Sequence, residues 1–189
     1  MLLKDIRSAE VDRIVTGDWD ECLGGGVVRQ SVILIGGLPG AGKSTMLLQM
    51  AEIFCRHGEC IYIATEEALP ALRARADRLG ISPEIPLRFI PAMGGANIEA
   101  LFTRKPAAFI LDSIDGLVGA DDQQEIKALE FLKKVAATLN APGLVISQVN
   151  KDGDYSGLMA KQHAVDVLLT LAPLDDMRTE NGEAVRELE

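Results

Sequence analysis

The sequence contains no hydrophobic stretch long enough to cross a bilayer, although 48% of its 189 residues are hydrophobic. Its opening segment, MLLKDIRSAEVDR, lacks the long apolar run of a secretory signal. Cysteine is scarce: Cys22, Cys55 and Cys60 form no CxxC pair and read as small apolar fillers. An odd cysteine count without framework spacing favours a reducing cytosol, so we expect a cytoplasmic protein without a membrane partner.

Basic residues are also few, because 19 lysines and arginines oppose 28 acidic residues and leave a net charge of −9. A domain that neutralises DNA phosphates over a broad face is usually basic. Any contact with a polynucleotide must therefore be local, or formed by several subunits around a shared channel. Repeats and long linkers are absent as well, so we predict a lead-in segment over residues 1–30 and a single core domain over 31–189.

The most informative segment is GLPGAGKS at residues 37–44, which fits the phosphate-binding pattern G-x-x-x-x-G-K-[ST]. A loop that wraps a polyphosphate points backbone N–H groups inward, and the turns that this needs favour glycine. Lys43 brings a positive charge to the β- and γ-phosphates, and the Ser44 hydroxyl suits Mg²⁺. We therefore predict ATP and Mg²⁺ as cofactors. The predicted nucleotide-binding residues are Gly37, Leu38, Pro39, Gly40, Ala41, Gly42, Lys43, Ser44 and Thr45.

Apolar runs alternate with helical patterns along the chain. The predicted strands are 31–35, 60–65, 87–90, 107–112, 144–148 and 165–172; the predicted helices follow the phosphate-binding loop and cover 69–79, 96–104 and 121–139. Strands that lack a two-residue alternation are typical of a parallel sheet buried on both faces. The sequence thus predicts an α/β fold with a mainly parallel, twisted sheet and helices on both faces.

Ligands of such sheets bind at the carboxyl ends of the strands, so the residues that end the strands are informative. Asp112 ends the strand at 107–112 and is predicted to hold Mg²⁺ opposite Ser44, the Walker B arrangement. Glu66 ends a strand that we expect to lie next to the phosphate-binding strand, where a carboxylate can orient a water in line with the γ-phosphate. Solvated carboxylates that open a helix are the alternative, and we favour that interpretation for Glu67.

The strand at 144–148 ends in Gln148, whose amide can report the γ-phosphate to the following loop. Glu66, Lys43 and Gln148 are accordingly the predicted catalytic residues. The loop over 150–162 is polar and rich in glycine, and a tyrosine among its lysines can stack a base of single-stranded DNA. An ordinary surface loop is the alternative. The candidate DNA-binding residues are Lys151, Tyr155 and Lys161.

The order of these parts resembles that of the RecA-like P-loop ATPases, and within them the sequence resembles the RadA (Sms) family of bacterial DNA-repair proteins. This resemblance is carried by six segments, which are 21–28, 34–49, 62–68, 75–80, 110–117 and 149–169. It implies nucleotide and catalytic roles for Lys43, Ser44, Glu66 and Asp112, and a homo-oligomeric ring or filament as the assembly. His163 and Asp166 match a His-x-x-Asp of that family.

The sequence departs from the RadA pattern in three respects. The four-cysteine zinc module and the protease-like domain of that family are absent from the 189 residues, and Gln148 stands where the family has a histidine. A Lys-Asn-Arg-Phe-Gly motif would be expected just beyond Glu189. Two interpretations stay open: an ATPase core from a longer protein, or a divergent stand-alone relative.

Three functions are compatible with these observations. The first is an Mg²⁺-dependent ATPase that acts on single-stranded DNA in recombination or repair, with ATP at a subunit border. The second is an ATP-gated, non-catalytic switch or scaffold of the KaiC type, which the acidic charge favours. The third is a small-molecule kinase, which lacks support because no arginine-rich lid is evident and a glutamate ends the second strand.

Overall fold

The computed structural model describes residues 11–92, 104–119, 121–148, 156–178 and 184–188. The strands in this part of the chain are β1 (Arg13–Ile14), β2 (Val27–Val28), β3 (Val32–Gly36), β4 (Cys60–Ala64), β5 (Leu87–Pro91), β6 (Ala108–Asp112), β7 (Gly143–Ile146), β8 (Val167–Arg178) and β9 (Ala184–Leu188). The helices there are α1 (Lys43–Cys55), α2 (Leu69–Arg78), α3 (Ile114–Val118), α4 (Asp122–Leu139) and α5 (Ser156–Ala160), with 3₁₀ turns at Gly17–Asp20 and Gln162–Ala164.

The main sheet has the strand order β5-β4-β6-β7-β3-β8-β9. Its first six strands are parallel, and β9 runs antiparallel to β8. This confirms the predicted α/β fold with a mainly parallel sheet. The phosphate-binding strand β3 lies between β7 and β8. The prediction that the strand before Glu66 neighbours β3 was wrong, because β6 and β7 lie between β4 and β3. Four of the central strands therefore direct their carboxyl ends to one edge of the sheet.

Burial explains why these strands read as continuous apolar runs. Every residue of β3, β4, β6 and β7 is buried. Successive side chains of a strand point to opposite faces, so each strand contributes side chains to two apolar cores. Ile33 and Ile35 of β3 belong to the core with α1, while Val32 and Leu34 belong to the core with α4. Helices thus cover both faces, as the sequence predicted.

The helix boundaries coincide with local capping geometry. α1 begins directly after Gly42, which has a φ of 100°. α4 begins after Asp121, whose carboxylate accepts a hydrogen bond from the Gln124 N–H at 2.9 Å. α4 then ends at Asn140, which has a φ of 53°. β5 confirms the short predicted strand, β8 extends beyond its predicted end at 172, and the predicted helix at 96–104 lies almost wholly outside the described residues.

The lead-in segment contributes to the core of the sheet domain. β1 and β2 form a small antiparallel pair, and the side chains of Ile14 and Val27 are buried in the α1 core. The boundary at residue 30 stays a prediction. Cys55 and Cys60 are buried fillers as expected, but the prediction was wrong for Cys22, which is exposed. None of the described helices combines the length and apolarity that a membrane span needs.

Candidate nucleotide-binding site

A cavity of about 350 Å³ opens where β3, β4, β6 and β7 end. It is lined by Pro39, Gly40, Gly42, Lys43, Ser44, Thr45, Glu66, Arg75, Arg78, Asp112, Ile146 and Gln148. Residues from four separate strand ends or following segments therefore meet at one place. The cavity lies where parallel sheets bind ligands, which agrees with the prediction from the strand ends.

The loop between β3 and α1 has the backbone geometry of a phosphate cradle. Gly40 and Gly42 have φ values of 82° and 100°, which side-chain-bearing residues rarely adopt. Gly37 lies so close to β8 that a Cβ there would be 2.4 Å from the carbonyl oxygen of Leu171. α1 follows at once and presents its N-terminal N–H groups to the cavity. Glycine is thus required by conformation at two positions and by contact at the third.

Lys43, the first residue of α1, is buried and lines this cavity. Its ammonium donates hydrogen bonds to the carbonyl oxygens of Gly37 at 2.6 Å and Leu38 at 3.0 Å. Burial lowers the pKa of Lys43, although the carboxylates of Asp112, Asp115 and Glu66 oppose this shift. Acidic groups on two other segments therefore help to keep the ammonium charged beside the loop.

Asp112 ends β6 at the same edge of the sheet and is buried. The buried hydroxyl of Tyr62 donates a hydrogen bond to its Oδ2 at 2.5 Å. Burial, together with the Asp112 carboxylate, raises the pKa of Tyr62 well above its ordinary value, so the phenol stays a donor. Tyr62 thereby fixes the orientation of the carboxylate that was predicted to hold Mg²⁺.

Glu66 is the centre of a small network that joins three strand ends. Its Oε1 accepts a hydrogen bond from the Ser113 hydroxyl, and its Oε2 accepts one from the Gln148 side-chain amide at 2.8 Å. The backbone N–H of Gln148 donates to Oδ2 of Asp115 at 3.0 Å. The structure thus brings together Glu66, Gln148 and the loop containing Lys43, which the sequence predicted as catalytic residues. The contact between Glu66 and Gln148 spans 82 residues of sequence.

Thr65 links the ends of β4 and β6, a role that no local sequence pattern indicates. Its hydroxyl lies 3.0 Å from the carbonyl oxygens of both Asp112 and Ser113, to which it donates. The same oxygen accepts the Ser113 N–H at 2.7 Å. A Cβ at Gly116 would lie 2.2 Å from this oxygen, so α3 approaches β4 closely. These bonds hold the segments that carry Glu66 and Asp112 at a constant separation.

Arg75 and Arg78 also line the cavity, although they are not among the site residues predicted from the sequence. They lie three residues apart on α2, so they share one side of that helix. Arg75 forms an ion pair with Glu67 at 3.0 Å. The signal in the sequence was the i, i+3 spacing, but spacing alone does not tell which side of α2 faces the phosphate-binding loop.

The structure contradicts the prediction that Lys161 binds DNA. Its side chain is only 4% exposed, and its ammonium is enclosed by Glu125, Asp122 and Ser147. A lysine held in this way has no surface to offer a polynucleotide, because carboxylates already neutralise it. The other two candidates, Lys151 and Tyr155, lie outside the described residues.

The His-x-x-Asp pair lies away from the cavity lining. His163 is exposed within the 3₁₀ turn that precedes β8. Asp166 accepts a hydrogen bond from the Val32 N–H at 2.8 Å and forms an ion pair with Lys133 at 2.9 Å. Val32 begins β3, so Asp166 fastens β8 to the edge of the sheet opposite the cavity.

The donor set suits a nucleotide with Mg²⁺ better than a metal held by protein alone. Within the described ranges, no group of three or more His, Cys, Asp or Glu is arranged to hold a metal ion. Mg²⁺ usually keeps several waters and binds one or two carboxylates together with substrate phosphates. Ser44 and Asp112, beside a loop built for phosphates, match that pattern.

Comparison with known proteins agrees with this geometry. Residues 14–84 match the family model of the KaiC ATPases. The protein named DNA repair protein RadA from Haemophilus influenzae is 35% identical over 186 residues, which cover 93% of this chain and 40% of that protein. Its namesake from Mycobacterium tuberculosis strain H37Rv is 35% identical over 162 residues, covering 79% and 33% of the two chains. The Escherichia coli K12 namesake is 34% identical over 182 residues, covering 89% and 39%.

The chain thus spans between 33% and 40% of the length of these three relatives. The similarity covers the phosphate-binding loop, the strand ends and the segments that follow them, which are the parts that form the cavity. Fold, site geometry and similarity agree: the chain is a RecA-like P-loop ATPase related to the RadA proteins.

Proposed function

We propose that this chain hydrolyses ATP with Mg²⁺ at the cavity and couples hydrolysis to work on DNA in recombination or repair. The observation that supports the proposal is the meeting of three groups at one cavity: a buried lysine in a phosphate-binding loop, a carboxylate held by a tyrosine, and a glutamate linked to a glutamine. Phosphoryl transfer depends mainly on positioning and on charge stabilisation, which such groups supply.

Binding would begin at the phosphate-binding loop. Backbone N–H groups between Gly37 and Ser44 would donate to phosphate oxygens, aided by the positive end of the α1 dipole. Lys43 would exchange the carbonyl oxygens of Gly37 and Leu38 for phosphate oxygens. Arg75 and Arg78, from the same chain, would add positive charge on the other side of the cavity.

Ser44 and Asp112 would hold Mg²⁺, which would withdraw charge from the phosphate oxygens. Tyr62 keeps the Asp112 carboxylate in one orientation by its hydrogen bond. Glu66 would accept a hydrogen bond from the attacking water and align it with the γ-phosphate. The Gln148 side-chain amide donates to Glu66, and it would donate to the γ-phosphate instead when one is bound. That exchange of hydrogen bonds would signal the γ-phosphate to the segment that follows Gln148.

The work on DNA is proposed from the relatives, which carry the name DNA repair protein. The net charge of −9 restricts the form of such work, since one chain of this charge offers no broad basic face. We propose that several copies form a ring or filament and bind single-stranded DNA locally, with Lys151 and Tyr155 as candidate contacts. Hydrolysis at each copy would then control that contact.

Phosphate release with and without Mg²⁺ and single-stranded DNA tests both parts of the proposal. We expect turnover that requires Mg²⁺ and rises when single-stranded DNA is added. Light scattering under the same conditions should show assembly with ATP, Mg²⁺ and single-stranded DNA. Failure of the chain to bind ATP or ADP in calorimetry with Mg²⁺ would overturn the nucleotide site itself.

An ATP-gated switch of the KaiC type is the second candidate function. The match of residues 14–84 to the KaiC ATPases favours it, as does the engagement of both Glu66 oxygens by Ser113 and Gln148. These two donors already draw charge from both oxygens, which weakens the carboxylate as an acceptor for the attacking water. Tight ATP binding with negligible phosphate release, unchanged by single-stranded DNA, would identify the switch.

The magnesium requirement should depend on Asp112. We expect Asp112→Asn to bind ATP but to lose most of the additional affinity that Mg²⁺ provides, a loss of about tenfold, since the amide is neutral. Calorimetric titration with ATP, in the presence and in the absence of Mg²⁺, measures the affinity that Mg²⁺ adds. Tyr62→Phe is the matched variant, because it removes the hydrogen bond and keeps the carboxylate. An Asp112→Asn variant with an unchanged Mg²⁺ effect would exclude Asp112 as a ligand.

A further inference from the structure

Lys161 and Glu125 form a buried ion pair that the proposed hydrolysis does not use. The two side chains are 4% and 2% exposed, and the ammonium lies 2.7 Å from Oε2 of Glu125. Fully buried ion pairs are uncommon, because the free energy needed to remove two charges from water can equal or exceed the free energy of their attraction. Apolar side chains of similar size often serve stability equally well. The pair therefore indicates a role in holding neighbouring segments in place, more than a role in stability.

All three N–H groups of the Lys161 ammonium have a partner. Besides Glu125, it lies 3.2 Å from Oδ1 of Asp122 and 3.2 Å from the hydroxyl of Ser147. Asp122 and Glu125 belong to the first turn of α4, whereas Ser147 is fully buried directly after β7. One lysine therefore ties the segment after α5 to a helix and to a strand end.

Ser147 connects this pair to the candidate site. Its backbone N–H donates to the carbonyl of Ile35 in β3 at 3.1 Å, which places it beside the phosphate-binding strand. The next residue is Gln148, whose side chain donates to Glu66 at 2.8 Å. The path from Lys161 to Glu66 thus has two hydrogen bonds and one peptide link. It contains no group from the phosphate-binding loop.

The segment that carries Lys161 is seated firmly on the same region. Leu158 of α5 is buried against Gly36, where a Cβ would lie only 2.1 Å from its Cδ2. Gly157 is likewise close to α4, since a Cβ there would be 3.3 Å from Oδ1 of Asp122. Gly36 is the last residue of β3, directly before the phosphate-binding loop. α5 therefore has little freedom to shift relative to β3 and α4.

We propose that Lys161 is a positioning residue: through Ser147 it holds Gln148 against Glu66, without touching the nucleotide. This rests on the proposed hydrolysis and adds a residue that acts on it from outside the cavity. The same anchor holds Ser147, directly after β7, to the first turn of α4.

The first test observes Gln148 itself, so its result does not depend on hydrolysis. The side-chain amide signal of Gln148 in a ¹⁵N correlation spectrum is assigned by its loss in Gln148→Ala. The test variant replaces Lys161 and Glu125 together by methionine, so that no buried charge is left alone. We expect the Gln148 signal to move in this variant. The control is Lys133→Met, which breaks the ion pair to Asp166 at the opposite edge of the sheet and should leave the signal in place.

The second test separates positioning from binding. The double methionine variant should bind ATP with a Kd within about twofold of the parent, while kcat falls about 10- to 100-fold, as expected when a group in the site is displaced. Ser147→Ala removes the hydroxyl that Lys161 contacts and leaves the ion pair intact, so it should move the Gln148 signal even if the double variant does not fold.

An unchanged Gln148 signal in both Ser147→Ala and the double variant would overturn the proposal and leave Lys161 a purely structural cation. Equal losses in Kd and kcat would overturn it too, because they would place Lys161 in nucleotide binding. A parent chain that binds ATP but releases no phosphate would refute the proposed hydrolysis instead. In that case the Gln148 signal still decides the role of Lys161.

Discussion

Replacing Glu66 by glutamine should leave ATP binding intact and remove most of the turnover. The substitution keeps the size of the side chain and one oxygen for the Ser113 or Gln148 hydrogen bond. It removes the negative charge that would accept a hydrogen bond from the attacking water. Groups in this role commonly contribute about 10²- to 10⁴-fold to the rate, so a loss of that size is expected in kcat.

Phosphate release under saturating ATP and Mg²⁺ measures the loss, and calorimetry with ATP measures binding. Glu67→Gln is the matched control, because it makes the same chemical change one residue further along. Glu67 forms an ion pair with Arg75, and both side chains are partly exposed to solvent, so the control should keep its turnover within about threefold. Parent-like turnover in Glu66→Gln would exclude Glu66 as the group that orients the water.

Replacing Lys43 by methionine should greatly raise the Kd for ATP. The variant keeps an unbranched stem in the buried position but loses the ammonium that bonds to Gly37 and Leu38. A charged hydrogen bond to a phosphate contributes about 1.5–3 kcal/mol, and Lys43 would make two of them, so Kd should rise about 10²-fold or more. The acidic neighbours Asp112 and Glu66 would also face the polyphosphate without the Lys43 ammonium to offset their charge.

Fluorescence titration with a labelled ATP analogue measures this change, and thermal unfolding confirms that the variant is folded. Lys127→Met is the control: it removes a lysine from the exposed side of α4 and should bind ATP as the parent does. An affinity for ATP that survives in Lys43→Met would mean that the loop N–H groups suffice, and the role given to the ammonium would then be wrong.

The predictable parts of the site are those whose residues are close in sequence or whose position follows from sheet geometry. Residues 37–44 form one local pattern, so their conformation and their chemistry could be predicted together. Asp112, Glu66 and Gln148 come from distant segments, yet each lies at or within two residues of the end of a buried apolar strand. Parallel strands bring such ends to one edge, which is why their meeting was predictable.

The parts that were missed depend on which side of a helix or turn faces the site. Arg75 and Arg78 carry the same charge and helical spacing whether they face solvent or the cavity. Lys161 was assigned to DNA because a lysine in a polar, glycine-rich region is usually exposed. Its burial accompanies the packing of Leu158 on Gly36, a contact between distant segments that a local pattern does not reveal.

The amino-acid sequence by itself determined the parallel sheet, the phosphate-binding loop and the residues that end the strands. These follow from local conformational preference and from the burial of apolar runs, both of which act over a few residues. Only the tertiary structure decided that Tyr62 orients Asp112, that Thr65 joins β4 to β6, and that Lys161 anchors Ser147. Those bonds join residues 14 to 50 positions apart, and they form only when packing has brought the segments together.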